Sequence, residues 1–291
     1  MKKHGFLLTT IALVLAVGLG LRLYETKKTI DVFSLARQKQ ETMLGSHDTE
    51  TVLNLKGKGT VLDSQSVGVL KDAVKGDKEQ VLAQLVKKTL LEMHHKSWLE
   101  DPTLEAKYFF GNIYKDIKEE FILAVNRGKD LAMLFVFTET KDGHELVTRI
   151  RGLAPITGLD LVGIPGFPYK GLVVEEYLDE MTGGFFEAMT QTVYLFREGR
   201  PHKVWERVKY LKEYYPQGGQ LKGDETQWWM NTEEAEIKFS DKGQITVKSK
   251  IREEKSEILG DMAGPYEVVT ERETEETYLW NPKELVFKLV N

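Results

Sequence analysis

Three stretches of this 291-residue chain repeat one pattern: an aromatic-rich run, a short polar turn, and a second run rich in valine, leucine or aromatic residues. They are FVFTETKDGHELVTRI from Phe135, VYLFREGRPHKVWERV from Val193 and TYLWNPKELVFKLV from Thr277. Two β-type runs joined by a turn that contains glycine or proline are typical of a β-hairpin. The pattern therefore predicts an antiparallel β domain with three hairpin units over residues 109–291.

Other segments complete the expected fold. Hydrophobic runs at Glu119–Val125 and Lys170–Tyr177 precede the first two hairpins, so each unit would hold three or four strands. The interval between the second and third hairpins is the longer one, which places an insertion at Lys209–Asn231. Upstream, apolar residues at three- and four-residue spacing predict a helix over 77–96, within an α/β segment at 46–108. The predicted fold class is α+β, mainly antiparallel β.

The hairpin units resemble the blades of FG-GAP type β-propeller proteins over residues 109–291. In that family a strand leads to an aromatic hairpin that ends in a Val-Trp-like pair, as at Val204-Trp205. The resemblance implies propeller-like blades and a calcium loop of alternating aspartates, of which Gly111–Asp116 has only the outline. Three units are fewer than the roughly four that a closed propeller needs. An incomplete propeller, a sandwich, and a curled antiparallel sheet packed against the 77–96 helix are the alternatives. A helical periodicity from Val204 to Tyr215 also competes with a strand there.

The N-terminus carries an uncharged apolar run of 17 residues, Gly5–Leu21. As a helix it would extend roughly 25 Å, close to the bilayer hydrocarbon thickness of about 30 Å. We therefore expect residues 1–24 to form a transmembrane anchor, with a cleaved signal peptide ending near Ala16–Gly18 as the alternative. Residues 25–45 would follow as a juxtamembrane helix or stalk. Both alternatives place the remaining chain outside the cytoplasm, either on a single-pass protein of the cell membrane or, after cleavage, on a secreted one.

Composition narrows the functional classes. The chain has no cysteine, which excludes a lipoprotein anchor, disulfides, thiolate metal sites and cysteine nucleophiles. Its net charge of −5 combines +3 over residues 1–23 with −8 over the rest, so we expect no nucleic-acid partner. The sequence also lacks the glycine-rich phosphate-binding motif and the serine-nucleophile motifs. We accordingly expect no cofactor, no metal site and no catalytic residue of a recognisable class.

Two pairs of aromatic residues are candidate ligand-binding residues. Phe167 and Tyr169 lie in the glycine- and proline-rich segment Gly152–Gly171, which is either a connector or a stiff binding loop. Trp228 and Trp229 adjoin another glycine-rich segment, and exposed aromatic rings can stack on sugars. Strand alternation would instead place one tryptophan in the core and the other over a sheet face.

Two groups of acidic residues also suggest functions. The segment from Glu175 to Glu180 contains four carboxylates, and glycoside hydrolysis needs two, although a solvated strand and turn explains them equally well. The segment Glu253–Glu276 holds nine acids against two basic residues, a density that would suit calcium or a basic partner. Charge of this kind also protects a solvated strand edge from aggregation.

These observations favour a membrane-anchored, extracytoplasmic binding or assembly protein without enzymatic activity. Its partners would be the membrane, through the N-terminal helix, and an envelope protein or glycan. The alternative is a hydrolase of envelope glycans, with carboxylates near Glu175 and the pair Trp228 and Trp229 as a sugar platform. A sensor or assembly subunit, whose apolar helix pairs with another membrane protein, is a third possibility.

Overall fold

A computed structural model describes the chain over residues 60–72, 78–114, 118–182, 185–217, 221 and 223–290. The transmembrane anchor predicted at 1–24 and the stalk predicted at 25–45 lie outside these residues. Within the described ranges, no helix is long and apolar enough to cross a membrane. All described elements belong to one unit of the chain, residues 52–291.

The helices of the described residues are short, and most of them precede the main run of strands. They are α1 (Ser64–Lys71), α2 (Lys78–Glu92) and 3-10 helices at Lys96–Glu100 and Gly223–Glu225. The strands are β1 (Val61–Leu62), β2 (Glu105–Gly111), β3 (Glu120–Arg127), β4 (Leu131–Thr140), β5 (Gly143–Leu153), β6 (Ile156–Gly163), β7 (Lys170–Asp179), β8 (Phe186–Arg197), β9 (Arg200–Pro216), β10 (Trp228–Ser240), β11 (Gln244–Ser256), β12 (Tyr266–Asn281) and β13 (Val286–Leu289).

The strands form two antiparallel sheets. The first sheet has five strands in the order β1-β5-β4-β3-β2, and the second has eight in the order β13-β12-β11-β10-β9-β8-β7-β6. From β2 to β5 and from β6 to β13, each strand therefore pairs with its neighbour in the chain. The predicted class, mainly antiparallel β, is confirmed, and the helix predicted at 77–96 is present as α2.

The central strands β3 and β4 of the first sheet are buried on both faces and carry continuous apolar runs rather than alternating ones. On β3, Phe121 and Leu123 pack with buried side chains of α1 and α2, whereas Ile122 and Ala124 pack against the second sheet. The Asn126 side chain joins the two sheets through paired hydrogen bonds with the Ile156 backbone, at 2.9 and 3.1 Å. The helices, the first sheet and the second sheet are thus stacked as layers.

The second sheet also has two apolar faces along β7 and β8. Leu172 and Val174 face the first sheet, whereas Val173 packs with residues of the last strands, such as Ile245 and Val247. The β10–β11 turn lies against the β6–β7 turn, since a Cβ atom at Gly243 would collide with Pro165. Strands β10 to β13 therefore form a further layer over β7 and β8.

The structure confirms some local predictions and corrects others. All three predicted hairpins are present, as β4–β5, β8–β9 and β12–β13. The three hairpin units do not form separate propeller-like blades, because one hairpin belongs to the first sheet and two share the second. The segment Gly152–Gly171 is not a continuous loop, since it contains β6. The competition between helix and strand from Val204 to Tyr215 is resolved as the strand β9.

Candidate functional site

The second sheet divides between β9 and β10. Hydrogen-bonded pairing joins Tyr210–Pro216 to Trp228–Glu234 and stops there. On its other side, β9 has a bulge at Lys209, because Val208 pairs with Thr190 and Tyr210 with Met189. A bulge bends its strand and strengthens the local twist. We call this division, between Lys209 on β9 and Ala235 on β10, the fork.

A crevice of about 850 Å³ opens at the fork. Its walls come from five consecutive strands, β8 to β12. Its lining includes three lysines, four glutamates, Tyr210 and Gln191 beside the apolar Met189, Ala235 and Ile237, so it carries both signs of charge. A cavity of this size can hold a small polar ligand.

The charged side chains of the crevice alternate in sign from strand to strand. Glu234 lies opposite Lys250, and Lys250 lies opposite Glu273. The next row consists of Glu236, Lys248 and Glu275. Residues directly opposite each other in an antiparallel sheet share a face, so each lysine stands between two carboxylates. The result is a surface that can bind positive and negative groups a few ångströms apart.

Glu175 and Lys209 form an ion pair beside the crevice. The Glu175 carboxylate accepts hydrogen bonds from Lys209 Nζ at 2.6 Å and from Gln191 Nε2 at 3.0 Å. Burial raises the pKa of Glu175, but these hydrogen bonds and the Lys209 charge outweigh it and leave that pKa below its ordinary value. Glu175 is therefore held as an anion, which suits an ion pair better than a general acid.

Only one of the two polar side-chain atoms of Gln191 has a hydrogen-bond partner among the described residues. Its Nε2 is used by Glu175, but its Oε1 is buried and has no hydrogen-bond partner in the described part of the chain. A buried acceptor without a hydrogen bond lowers the stability of the folded state. A hydrogen bond from a ligand or a water molecule would recover that free energy. Gln191 lines the crevice, so a ligand or water that reaches this atom would have to donate from an N–H or O–H group.

Two tyrosines flank the crevice and share one carboxylate. Tyr177 Oη and Tyr210 Oη donate to the two oxygens of Glu187, the latter at 2.9 Å. The hydrogen bond to Glu187 and burial raise the pKa of Tyr177 to about 12. Burial and the same carboxylate raise the pKa of Tyr210 as well. Both hydroxyls thus remain protonated near neutral pH and serve as fixed donors rather than as bases.

A more buried ion cluster lies next to the crevice. Arg207 Nη2 lies 2.6 Å from Glu233 Oε1, and Arg207 Nε lies 3.2 Å from Glu276 Oε2. The Tyr278 hydroxyl also donates to Glu276, at 2.6 Å. The side chains of Arg207 and Glu233 are only 16% and 5% exposed. Burial alone would lower the pKa of Arg207, but the two glutamates raise it above its ordinary value. This cluster joins β9 to β10 and β12 at the fork.

The predicted pair Phe167 and Tyr169 lies in the turn between β6 and β7. Both rings are partly buried against the core of the second sheet. The Phe167 ring centroid is 5.4 Å from that of Tyr169 and 6.2 Å from that of Trp280. These contacts give the pair a packing role between the β6–β7 turn and the last strands. Neither residue lines the crevice.

The predicted pair Trp228 and Trp229 begins β10. As neighbours in a strand they point to opposite faces of the sheet. Trp228 is buried and makes an edge contact with Phe185, at 5.5 Å between centroids. Trp229 lies opposite Tyr215 and is partly exposed. The two rings therefore do not share a face of the sheet.

Three of the four carboxylates from Glu175 to Glu180 make separate contacts. Glu175 joins Lys209, Glu176 accepts from the Ala154 backbone N–H, and Asp179 accepts from that of Met181. The acids of Glu253–Glu276 mostly follow β11 and β12, where several pair across strands. No group of three or more metal-binding side chains occurs among the residues that the structure describes.

Most crevice residues were missed by the sequence patterns, although Glu273 and Glu275 lie in the acidic segment Glu253–Glu276. Gln191, Lys209 and Tyr210 lie within hairpin strands and have no motif around them. The bulge at Lys209 is weakly visible in the sequence, because the alternation of side chains along β9 is interrupted there and the pattern also fits a helix. Comparison of the chain with protein-family models, with curated proteins and with solved structures finds no match.

Proposed function

We propose that this chain is a membrane-anchored, extracytoplasmic binding protein and that its ligand occupies the crevice at the fork. The anchor rests on the apolar run Gly5–Leu21, and the binding role rests on the crevice. The observation that carries the proposal is a crevice of about 850 Å³ whose lining carries charges of both signs, together with a buried acceptor that has no partner in the described residues, Gln191 Oε1.

The chemistry of the crevice favours a glycan of the cell envelope as the ligand. Carboxylate, ammonium and amide groups can all hydrogen-bond to sugar hydroxyls, and the Gln191 acceptor requires a donor such as a hydroxyl. Tyr210 adds an aromatic ring to the lining. The lowered pKa of Glu175 favours binding over general-acid catalysis, so this proposal assigns no hydrolytic step.

Thermal unfolding tests this function, because a ligand that binds only the folded state raises the melting temperature by mass action. The full-length chain in mild detergent would be heated with soluble envelope glycan fragments, with envelope peptides and with an apolar fatty acid. We expect a saturable rise with the glycan fragments. No rise with the glycan fragments, or a rise only with the peptides or the fatty acid, would contradict the glycan assignment.

Two lysine variants locate the binding. Lys250→Ala removes a charge from the crevice, whereas Lys118→Ala removes one from an exposed pair with Glu139, and neither residue of that pair lines the crevice. We expect the first variant to weaken the ligand-dependent shift and the second to leave it unchanged. Equal effects would place the ligand elsewhere. Carbonate extraction of membranes and protease accessibility of intact cells test the anchor separately.

A further inference from the structure

One long edge of the second sheet is open. Strand β12 pairs with β11 along nearly its whole length, but β13 pairs only with its last residues, Tyr278–Asn281. One further bond, from Val290 N–H to the Thr277 carbonyl, extends that contact by one residue. Across the described ranges, no strand pairs with the outer edge of residues 266–276.

The direction of the free backbone groups follows from the two ends of the ladder. The Trp280 N–H bonds inward to the Gly243 carbonyl, and the Thr277 carbonyl bonds outward to Val290. Inward and outward residues alternate along an antiparallel strand. Glu271, Glu273 and Glu275 therefore direct their N–H and C=O groups to the open edge. Such a row of groups is a template for another strand.

The side chains along this edge indicate which strand would fit. Glu271, Glu273 and Glu275 share one face and lie opposite Arg252, Lys250 and Lys248 of β11, respectively. The neighbouring strand β10 carries Glu234 and Glu236 opposite the same two lysines. The sign of the charge thus alternates from β10 to β11 to β12. The next strand in this order would carry basic residues at every second position.

We propose that the outer edge of β12 binds an extended, basic segment of another protein, which adds a strand to the second sheet. Lys or Arg side chains at alternate positions of that segment would lie beside Glu271, Glu273 and Glu275. Val268 and Val269, 50% and 47% exposed, add apolar contact at one end of the edge. Glu273 and Glu275 also line the crevice, but this proposal rests on the outward backbone groups of β12 and not on the ligand of the crevice.

The charges argue against a second copy of this chain as the occupant. Residues 266–277 carry five acids and one arginine, so two such edges would bring like charges together. Like charges directly opposite each other destabilise a strand pair. The negative charge of this edge thus disfavours pairing with the same edge of a second copy. It remains complementary to a basic strand.

Two synthetic peptides of one composition test the proposal on the full-length chain in detergent. In the first peptide lysine and threonine alternate, and in the second the lysines are grouped at one end. We expect fluorescence anisotropy to show about tenfold tighter binding of the alternating peptide, because only its lysines can lie beside all three glutamates on one face. Equal affinity would overturn the proposal.

A comparison of Glu273→Pro with Glu273→Gln separates backbone pairing from charge attraction, because both variants remove the carboxylate and only proline removes the backbone N–H. Glu273→Pro removes an outward N–H but no hydrogen bond to β11, and proline is tolerated on edge strands. We expect Glu273→Pro to keep the melting temperature of the parent chain and to lose its binding of the alternating peptide. Unchanged binding would contradict strand addition. Concentration-dependent self-association that this variant abolishes would assign the edge to a second copy and would also overturn the proposal.

A charge-matched pair of variants keeps the test valid if the proline variant does not fold. Glu273→Gln with Glu275→Gln removes two charges from the edge, whereas Glu234→Gln with Glu236→Gln removes two from the same face of β10. We expect only the first double variant to weaken the binding of the alternating peptide, by about tenfold. An equal loss in both would indicate non-specific attraction. Hydrogen exchange should also show that the peptide protects the amides of Glu271, Glu273 and Glu275, and protection elsewhere would contradict the assignment.

Discussion

Strands β4 and β12 show how differently one chain can use the same backbone structure. In β4, the six residues Ala132–Phe137 are all buried, because α1 and α2 cover one face and the second sheet covers the other. In β12, residues 267–273 are all exposed, and three of these seven side chains are acidic. The comparison indicates that the first sheet supplies stability, whereas β10 to β12 form an exposed, charged surface.

The largest effect should come from the centre of the first sheet. Phe135→Ala empties a fully buried position in β4 and should lower the free energy of unfolding by about 4 kcal/mol. Denaturant unfolding measures the loss. Val268→Ala, at an exposed position of β12, is the control and should change the value by less than about 0.5 kcal/mol. Similar losses in the two variants would remove the distinction between the two regions.

The next effect should come from the buried ion cluster at the fork. Arg207→Met leaves Glu233 buried without its cation, so we expect a loss of about 3 kcal/mol. Adding Glu233→Gln should recover part of that loss, because the uncompensated charge is removed. If the single variant is as stable as the parent chain, the cluster does not hold β9 to β10 and β12.

The Glu175–Lys209 pair should make a smaller contribution that depends on pH. The pKa of Glu175 is depressed in the folded chain, so its contribution is present above the unfolded value of about 4.3 and is lost as the pH falls through the folded value. Glu175→Gln should therefore cost about 1 kcal/mol at pH 7 and progressively less below pH 4. A cost that does not vary with pH would assign the effect to packing.

The smallest effect should come from the exposed cross-strand pairs. Lys248 Nζ lies 3.5 Å from Glu275 Oε2, and both side chains are more than half exposed. Lys248→Gln should change the free energy of unfolding by less than about 0.5 kcal/mol, and added salt of about 0.5 M should remove the difference. A larger loss that persists in salt would give the charged surface a structural role after all.

Local patterns predicted much of the secondary structure but little of the site. The turns at Asp142-Gly143 and Glu198-Gly199 mark hairpins by their residues alone, and the spacing of Leu85, Val86 and Leu90 marks α2. Strand β6 was missed because four glycines and prolines lie in or beside it. Glycine and proline weaken a strand pattern without forbidding a strand.

The crevice could not be predicted because it depends on residues that are distant in sequence. Lys209 reaches Glu175 on β7, and Arg207 reaches Glu233 on β10 and Glu276 on β12. The point at which the β9–β10 ladder ends is set by these contacts and by the bulge at Lys209, not by a local motif. Which faces become buried was likewise decided by the stacking of the layers.

Residue-resolved hydrogen exchange on the full-length chain tests the contrast between the two regions most directly. The account predicts that amides of β3 and β4 exchange only through global unfolding, with free energies near that of the whole domain. It predicts that the outward amides of Glu271, Glu273 and Glu275 exchange fast, while inward neighbours such as Arg272 and Thr274 are protected. Slow exchange at all of these β12 amides, matching that of β4, would contradict the open edge and the division of roles between the two regions.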